Sequence, residues 1–349
     1  MTVAQPHSAH PAGEGRVVAS AELAAKIAAT DFSDCAVTVV GYGNMGRQYV
    51  KALRALGVKR IRVCSRSPGP LEELQGVAGL ETVAGGFERL GFHPQPGDLA
   101  IVATPTLMLI ATAEHLASLG FRRLLIEKPV SLWSEQIESL KVKFGELGVE
   151  AVCAYNRVAY PSFHEVRSRA YKEGGITSCT YTFTEMIKPD WQERFPAEEL
   201  ARWGIANSLH VIGMAHGLIG MPKEWSGYRR GSLPWHPTGS LFVGSGISEF
   251  GIPFSYHADW GSTGRWSVEI HTAVASYRLC PLEKLFRRVS ALSDWEEVSI
   301  DTFASEVKTG FVEQVAAMLS PSMRRFVALV PLEVAPRLTR YAEEVFGYN

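Results

Sequence analysis

The residues best suited to chemistry fall into a few short groups. Gly41, Gly43 and Gly46, spaced by Tyr42, Asn44 and Met45, form a GxGxxG run between an apolar stretch and a helical one. In that context Gly41 permits a tight turn, Gly43 lets backbone approach a pyrophosphate, and Gly46 allows close helix–sheet packing. The start of the helix, at Asn44 and Met45, offers unpaired N–H groups to phosphates. Nineteen residues past Gly46 come Ser65 and Arg66, where a site for NAD usually carries an acid for the ribose hydroxyls. A hydroxyl and a guanidinium suit a 2′-phosphate instead, so NADP(H) is the preferred dinucleotide and NAD(H) the secondary one. Ala103-Thr104-Pro105 and Glu127-Lys128-Pro129 each close an apolar stretch. Further on, His210 can act as acid and base near neutral pH. Three residues before it, Asn207 shares its helix face. Asn207 reads equally as an orienting or substrate-gripping amide and as the helix N-cap.

These groups need elements to position them. Short apolar runs at 36–40, 60–64, 99–103, 124–126 and 151–154 alternate with amphipathic stretches, the pattern of a parallel sheet buried on both faces. The glycine run and the two Pro-containing triplets then stand at the C-terminal strand edges, where doubly wound sheets bind ligands. After about residue 176 the period changes. Runs at 177–186, 241–247, 254–260, 265–272 and 274–279 read as strands, several strictly alternating, which implies a half-covered, mostly antiparallel sheet. A helix over 207–218 can cover its apolar face. Helices over 310–319 and 332–346 close the chain. The expected organisation is an arm and short helix over 1–35, a Rossmann dinucleotide-binding domain over 36–157, and an α+β domain for substrate and oligomerisation over 158–349, with its last helix returning to the first domain.

Composition narrows the function. The chain has 349 residues, 46% hydrophobic and 20% charged, and a formal net charge of −1. That balance gives no electrostatic footprint for nucleic acid or an anionic membrane. Five cysteines without a CxxC spacing point to a reduced protein without a metal site. No window approaches the ~20 apolar residues that span a bilayer, and no leader precedes the first domain, so a cytoplasmic protein is expected.

The order GxGxxG, Ala103-Thr104-Pro105, Glu127-Lys128-Pro129, Tyr155-Asn156-Arg157 and a helix bearing His210 resembles the Gfo/Idh/MocA family of nicotinamide-dependent oxidoreductases. The resemblance runs from about Ala36 to the C-terminus. It implies that Lys128 lies near the nicotinamide and hydrogen-bonds the reacting hydroxyl or carbonyl, where an ammonium stabilises developing alkoxide charge and relays a proton. It further implies cofactor contacts from Ala103, Thr104, Pro105, Glu127, Lys128 and Asn156, and substrate contacts from Lys128, Tyr155, Arg157, Asn207 and His210. Relatives usually carry an acid where this chain has Asn207, which cannot take up a proton. Tyr160, Trp235 and His236 have the character of a stacking surface and hydrogen-bonding partner for a sugar ring. The segment 190–203, polar with Trp191, Arg194 and Trp203, reads as a loop over the site.

The expected activity is hydride transfer at a secondary alcohol or ketone of a sugar, nucleotide sugar or cyclitol. A cofactor-binding ligand sensor and a redox-assisted hydrolase or lyase are the alternatives within the same family. The polar row Ser255, His257, Asp259, Ser267, Glu269 and His271 leaves a flat sheet face suited to a homodimer or homotetramer.

Overall fold

In the computed structural model, residues 16–348 are described; the arm expected over 1–15 lies outside them. The chain divides into two compact units. One comprises Ala24–Ala159 and Thr302–Pro336; the described residues of the other are 16–23, Tyr160–Asp301 and 337–348.

The first unit is built on a parallel sheet. Its strands β1 (Ala36–Val40), β2 (Arg60–Ser65), β3 (Leu80–Ala84), β4 (Leu99–Val102), β5 (Arg123–Glu127) and β6 (Glu150–Ala154) run in the spatial order β6-β5-β4-β1-β2-β3. The switch point lies between β1 and β4, both of which follow from apolar runs whose side chains are buried on both faces. Strand β3 was not expected: Leu-Glu-Thr-Val-Ala is half exposed at the sheet edge and carries no apolar run. The helix Asn44–Ala55 returns from β1 and buries Tyr49, Val50 and Leu53.

The second unit holds β7 (Ser178–Thr182), β8 (Pro222–Arg230), β9 (Leu241–Ser248), β10 (Pro253–Asp259), β11 (Ser267–His271), β12 (Ser276–Leu279), β13 (Leu285–Arg288) and β14 (Glu296–Val298). Their order is β14-β13-β12-β11-β7-β10-β9-β8, antiparallel except for the β7–β10 pair. Alternation decides the faces. Phe254, Tyr256, Ala258 and Trp260 are buried while Ser255, His257 and Asp259 point the other way. The helix Leu209–Ile219 covers the apolar face, with the His216 ring 5.0 Å from Phe254.

Two expectations need correction. The final helix, Ala335–Phe346, lies over this second sheet, with the Tyr341 hydroxyl 2.9 Å from that of Tyr181 and Phe346 edge-on to Phe183. What returns to the parallel unit is 302–336: the helix Phe311–Leu319 packs on Asn44–Ala55, and β15 (Val330–Pro331) pairs antiparallel with β6. Two residues of β15 are too few to give a sequence pattern. Among the described residues no helix is long and apolar enough to cross a membrane.

Candidate active site

In the parallel unit, backbone hydrogen bonds fix the glycine turn to its neighbours. The Gly41 N–H donates to the Cys64 carbonyl (2.8 Å), and the Ala103 N–H donates to the Val40 carbonyl (2.7 Å). Gly41 has φ +98°, and a Cβ there would collide with the Ala103 carbonyl; a Cβ on Gly46 would run into the Gly41 carbonyl. Both glycines are therefore demanded by packing within the protein. Gly43 differs. Its φ is an ordinary −82°, and a Cβ built on it meets nothing within 4 Å. It is the N-cap of Asn44–Ala55, whose first N–H groups receive no side-chain cap, and both Gly43 and Asn44 are exposed. Space above a bare backbone and an uncapped helix start together form a cradle that fits a pyrophosphate.

At the end of β2, the buried Ser65 accepts N–H bonds at its carbonyl from Gly85 (3.0 Å) and Gly86 (3.2 Å), and Arg66 is exposed beside it. After β4, the Thr104 hydroxyl is 3.2 Å from that of Thr112, and Pro105 lies exposed at the head of the following turn.

The end of β5 is more constrained. Glu127 is buried, and its Oε1 accepts a 2.6 Å bond from the Tyr49 hydroxyl, which itself accepts from Gln314 Nε2 at 3.3 Å. Burial pushes the Glu127 carboxyl up; the Tyr49 bond and then the charges of Lys128, Lys308 and Arg157 oppose that push. Glu127 is thus tied inward to the helix after β1, while Lys128 next to it is half-buried. The Lys128–Pro129 peptide is cis, and Val130, fully buried, has φ +69°. A β-branched residue in the left-handed region costs on the order of 1–3 kcal/mol, and such strain persists only where surroundings enforce it. The Val130 N–H closes the turn on the Glu127 carbonyl at 3.1 Å. Past β6, Tyr155 and Asn156 are buried; Asn156 Nδ2 donates to the Thr309 carbonyl (3.0 Å) and its Oδ1 accepts from Arg157 (2.7 Å). The Asn156 side chain thereby anchors residues 307–310 to this edge.

In the second unit, His210 is buried on the first turn of Leu209–Ile219, its ring 6.0 Å from that of Trp266. The helix is preceded by a π-type turn, Gly204–Ser208, so Asn207 is not its N-cap. Gly204 is required there because a side chain would meet the Phe346 ring, and its N–H donates to the Tyr348 hydroxyl at 2.9 Å. Asn207 Nδ2 instead donates to Glu185 Oε2 (2.9 Å), and the Ser208 hydroxyl donates to Glu185 Oε1 (2.5 Å). Glu185 is buried. Sequence reading missed this carboxylate, although a signal existed: Cys179, Tyr181, Phe183 and Glu185 alternate onto one face, and the last puts an acid into an apolar row. Tyr49 and Gln314 carried no such signal, because they read as one helical core position each.

Three of the expected substrate contacts have protein partners. His236 is fully buried, with Nδ1 2.7 Å from the Gly239 carbonyl and Nε2 2.5 Å from the Tyr348 hydroxyl; burial pushes its pKa down to about 4. It is a core histidine. Tyr160 is buried and its hydroxyl donates to Glu283 (3.1 Å). Trp235 stacks on Trp260 and meets Trp191 and Trp203 edge-on. The segment 190–203 is no open loop either. It forms two short helices, Trp191–Arg194 and Ala197–Ala201, pinned by the buried Trp191 and Trp203 rings 4.3 Å apart.

Comparison with known proteins agrees with this architecture. The shikimate / quinate 5-dehydrogenase family matches residues 22–129, within the part of the chain that carries the glycine loop and Lys128. Among curated proteins, none matches by sequence. Among solved structures, an oxidoreductase from Agrobacterium radiobacter in complex with NAD+, L-tartaric acid and magnesium superposes with a TM-score of 0.71 at 13% identity, over 90% of this chain and 96% of that one. A levoglucosan dehydrogenase in complex with NADH and L-sorbose gives 0.69 at 16% identity, over 90% and 96%. UDP-N-acetylglucosamine 3-dehydrogenase from Acidithiobacillus ferrooxidans gives 0.65 at 15%, over 89% and 96%. The chain therefore shares the fold of these solved oxidoreductases, a parallel unit joined to an open, mostly antiparallel second sheet.

Proposed function

We propose that the chain is a nicotinamide-dependent oxidoreductase that moves hydride to or from a secondary alcohol or ketone of a sugar, nucleotide sugar or cyclitol. The observation that carries the reading is the glycine loop: packing within the protein demands Gly41 and Gly46, and Gly43 leaves open space over bare backbone at the uncapped start of the helix Asn44–Ala55, where a pyrophosphate fits. A bound nicotinamide would supply or accept the hydride. Lys128, fixed by the strained turn after β5, hydrogen-bonds the reacting oxygen and stabilises the charge that develops on it. His210 is a second candidate acid–base group. The substrate class draws support from the superposed proteins that act on levoglucosan and on a UDP-linked sugar.

NADP(H) is the preferred dinucleotide in this reading, because Ser65 and the exposed Arg66 stand where an acid would select NAD(H). NADPH should bind at least about tenfold more tightly than NADH, roughly 1.4 kcal/mol, and Arg66→Ala should abolish the difference. Fluorescence titration with both dinucleotides checks this. Equal affinities in the parent protein would refute the preference.

The assembly proposed is a homodimer, or a dimer of dimers, through the polar face of the second sheet. That face carries a hydroxyl ladder, Thr180 to Ser255 (3.1 Å) and Thr182 to Ser267 (3.0 Å), beside the Glu269–Arg278 pair (2.8 Å). Such a surface suits a wet two-fold contact. Ser255→Arg or Ser267→Arg should shift the protein toward monomer in light scattering by setting like charges across the axis. A monomeric parent at micromolar concentration would rule the contact out.

A further inference from the structure

The segment that returns to the parallel unit packs on the helix that follows the glycine loop. The Lys308 N–H donates to Gln48 Oε1 at 3.4 Å on the helix Asn44–Ala55, and the next residue, Thr309, accepts from Asn156 at 3.0 Å. Phe311 then packs on Tyr49, ring centroids 4.7 Å apart. Residues 308–311 are thus held on the helix after β1 and on the edge after β6. Lys308 itself is exposed, and its Nζ lies 3.6 Å from the thioether of Met45, the second residue of the helix whose uncapped start forms the cradle. Its charge also reaches Glu127 at the end of β5. A thioether is a weak acceptor for an ammonium, whereas a phosphate oxygen is a strong one.

We infer that Lys308 is a further cofactor-binding residue, its ammonium beside Met45 helping the helix N–H groups to hold the pyrophosphate. The inference rests on the dinucleotide reading of the loop and deepens it. Position gives it a direction: Arg66 follows β2, on the adenosine side of the switch point, while Lys308 stands beside Met45 in the glycine run after β1. Its contact is therefore with the linking phosphates and not with the adenosine 2′-phosphate. Sequence reading had no means of finding it, because Lys308 lies more than 250 residues from Met45.

The test titrates the full chain with NADPH and with NADH by fluorescence, in parent, Lys308→Ala and Lys308→Arg. Alanine should weaken both dinucleotides by about tenfold, the loss of one charge-assisted contact, and should flatten the dependence of affinity on salt. Arginine should keep most of the affinity. Adenosine 2′-monophosphate, which lacks the pyrophosphate, should compete equally well in parent and Lys308→Ala. Equal NADPH and NADH affinities in parent and Lys308→Ala would overturn the role of Lys308 while leaving the cofactor reading intact. The same loss for adenosine 2′-monophosphate would overturn it too, since the residue would then act on the site at large. A parent that binds neither dinucleotide would overturn the cofactor reading and this inference together.

Discussion

Lys128→Ala is expected to leave NADPH binding near the parental value and to lower the rate of hydride transfer by about two to four orders of magnitude, the range for a positioned acid or charge stabiliser. The separation of binding from chemistry follows from the local structure. Glu127 is the residue that ties the end of β5 into the unit, through Tyr49 and Gln314, and the buried Val130 fixes the turn beyond. Removing the half-buried Lys128 side chain leaves both in place. Single-turnover kinetics on NADPH-loaded protein, with binding measured separately, distinguish the two effects. Parental rates in the variant would remove Lys128 from the chemistry.

Asn207→Asp is expected to destabilise the second unit by about 1–3 kcal/mol near pH 8, since it replaces a part-buried hydrogen bond with a pair of facing carboxylates. Asn207 Nδ2 donates to Glu185 at 2.9 Å, so an aspartate there has no proton to offer unless one of the two acids keeps its own. The sign with pH follows. Pairing raises the pKa of the carboxylates in the folded variant above their unfolded values, so the variant's stability is fully present below those unfolded values and is lost as pH rises through the raised ones. The gap in melting temperature between parent and Asn207→Asp should therefore be wide near pH 8 and narrow toward pH 5. A gap of the same size at both, or no gap, would show that Glu185 and residue 207 do not interact as described. The structure thus sets the Glu185 carboxylate directly against residue 207.

Much of the parallel unit was legible because its strands are buried on both faces and so read as continuous apolar runs. The glycine run was legible because each glycine answers a local steric demand or a local opening. Three things were not. Edge strands such as β3 and β15 bury too little to imprint a pattern. The return of 302–336 to the first unit depends on contacts such as Asn156 to Thr309, 153 residues apart, which no periodicity encodes. The partners of polar residues inside the second unit are set by tertiary contacts that residue type alone does not encode. The type of His236 suits a sugar contact as well as a core position, and the structure shows it bonded to a glycine carbonyl and a tyrosine in the core. Glu185 was passed over because it sat within a strand pattern, although an acid in an apolar row requires partners, and Asn207 and Ser208 are those partners.

The most direct test of the proposed activity follows NADPH absorbance at 340 nm on protein shown to bind it. The reduced cofactor is challenged with ketoses, keto-cyclitols and keto nucleotide sugars, and NADP+ with the corresponding alcohols. A member of this panel should oxidise NADPH or reduce NADP+ catalytically, and Lys128→Ala should suppress that turnover while still binding the dinucleotide. Tight NADPH binding with unchanged absorbance across the whole panel in both directions would contradict an oxidoreductase and favour a protein that holds the cofactor as a ligand sensor.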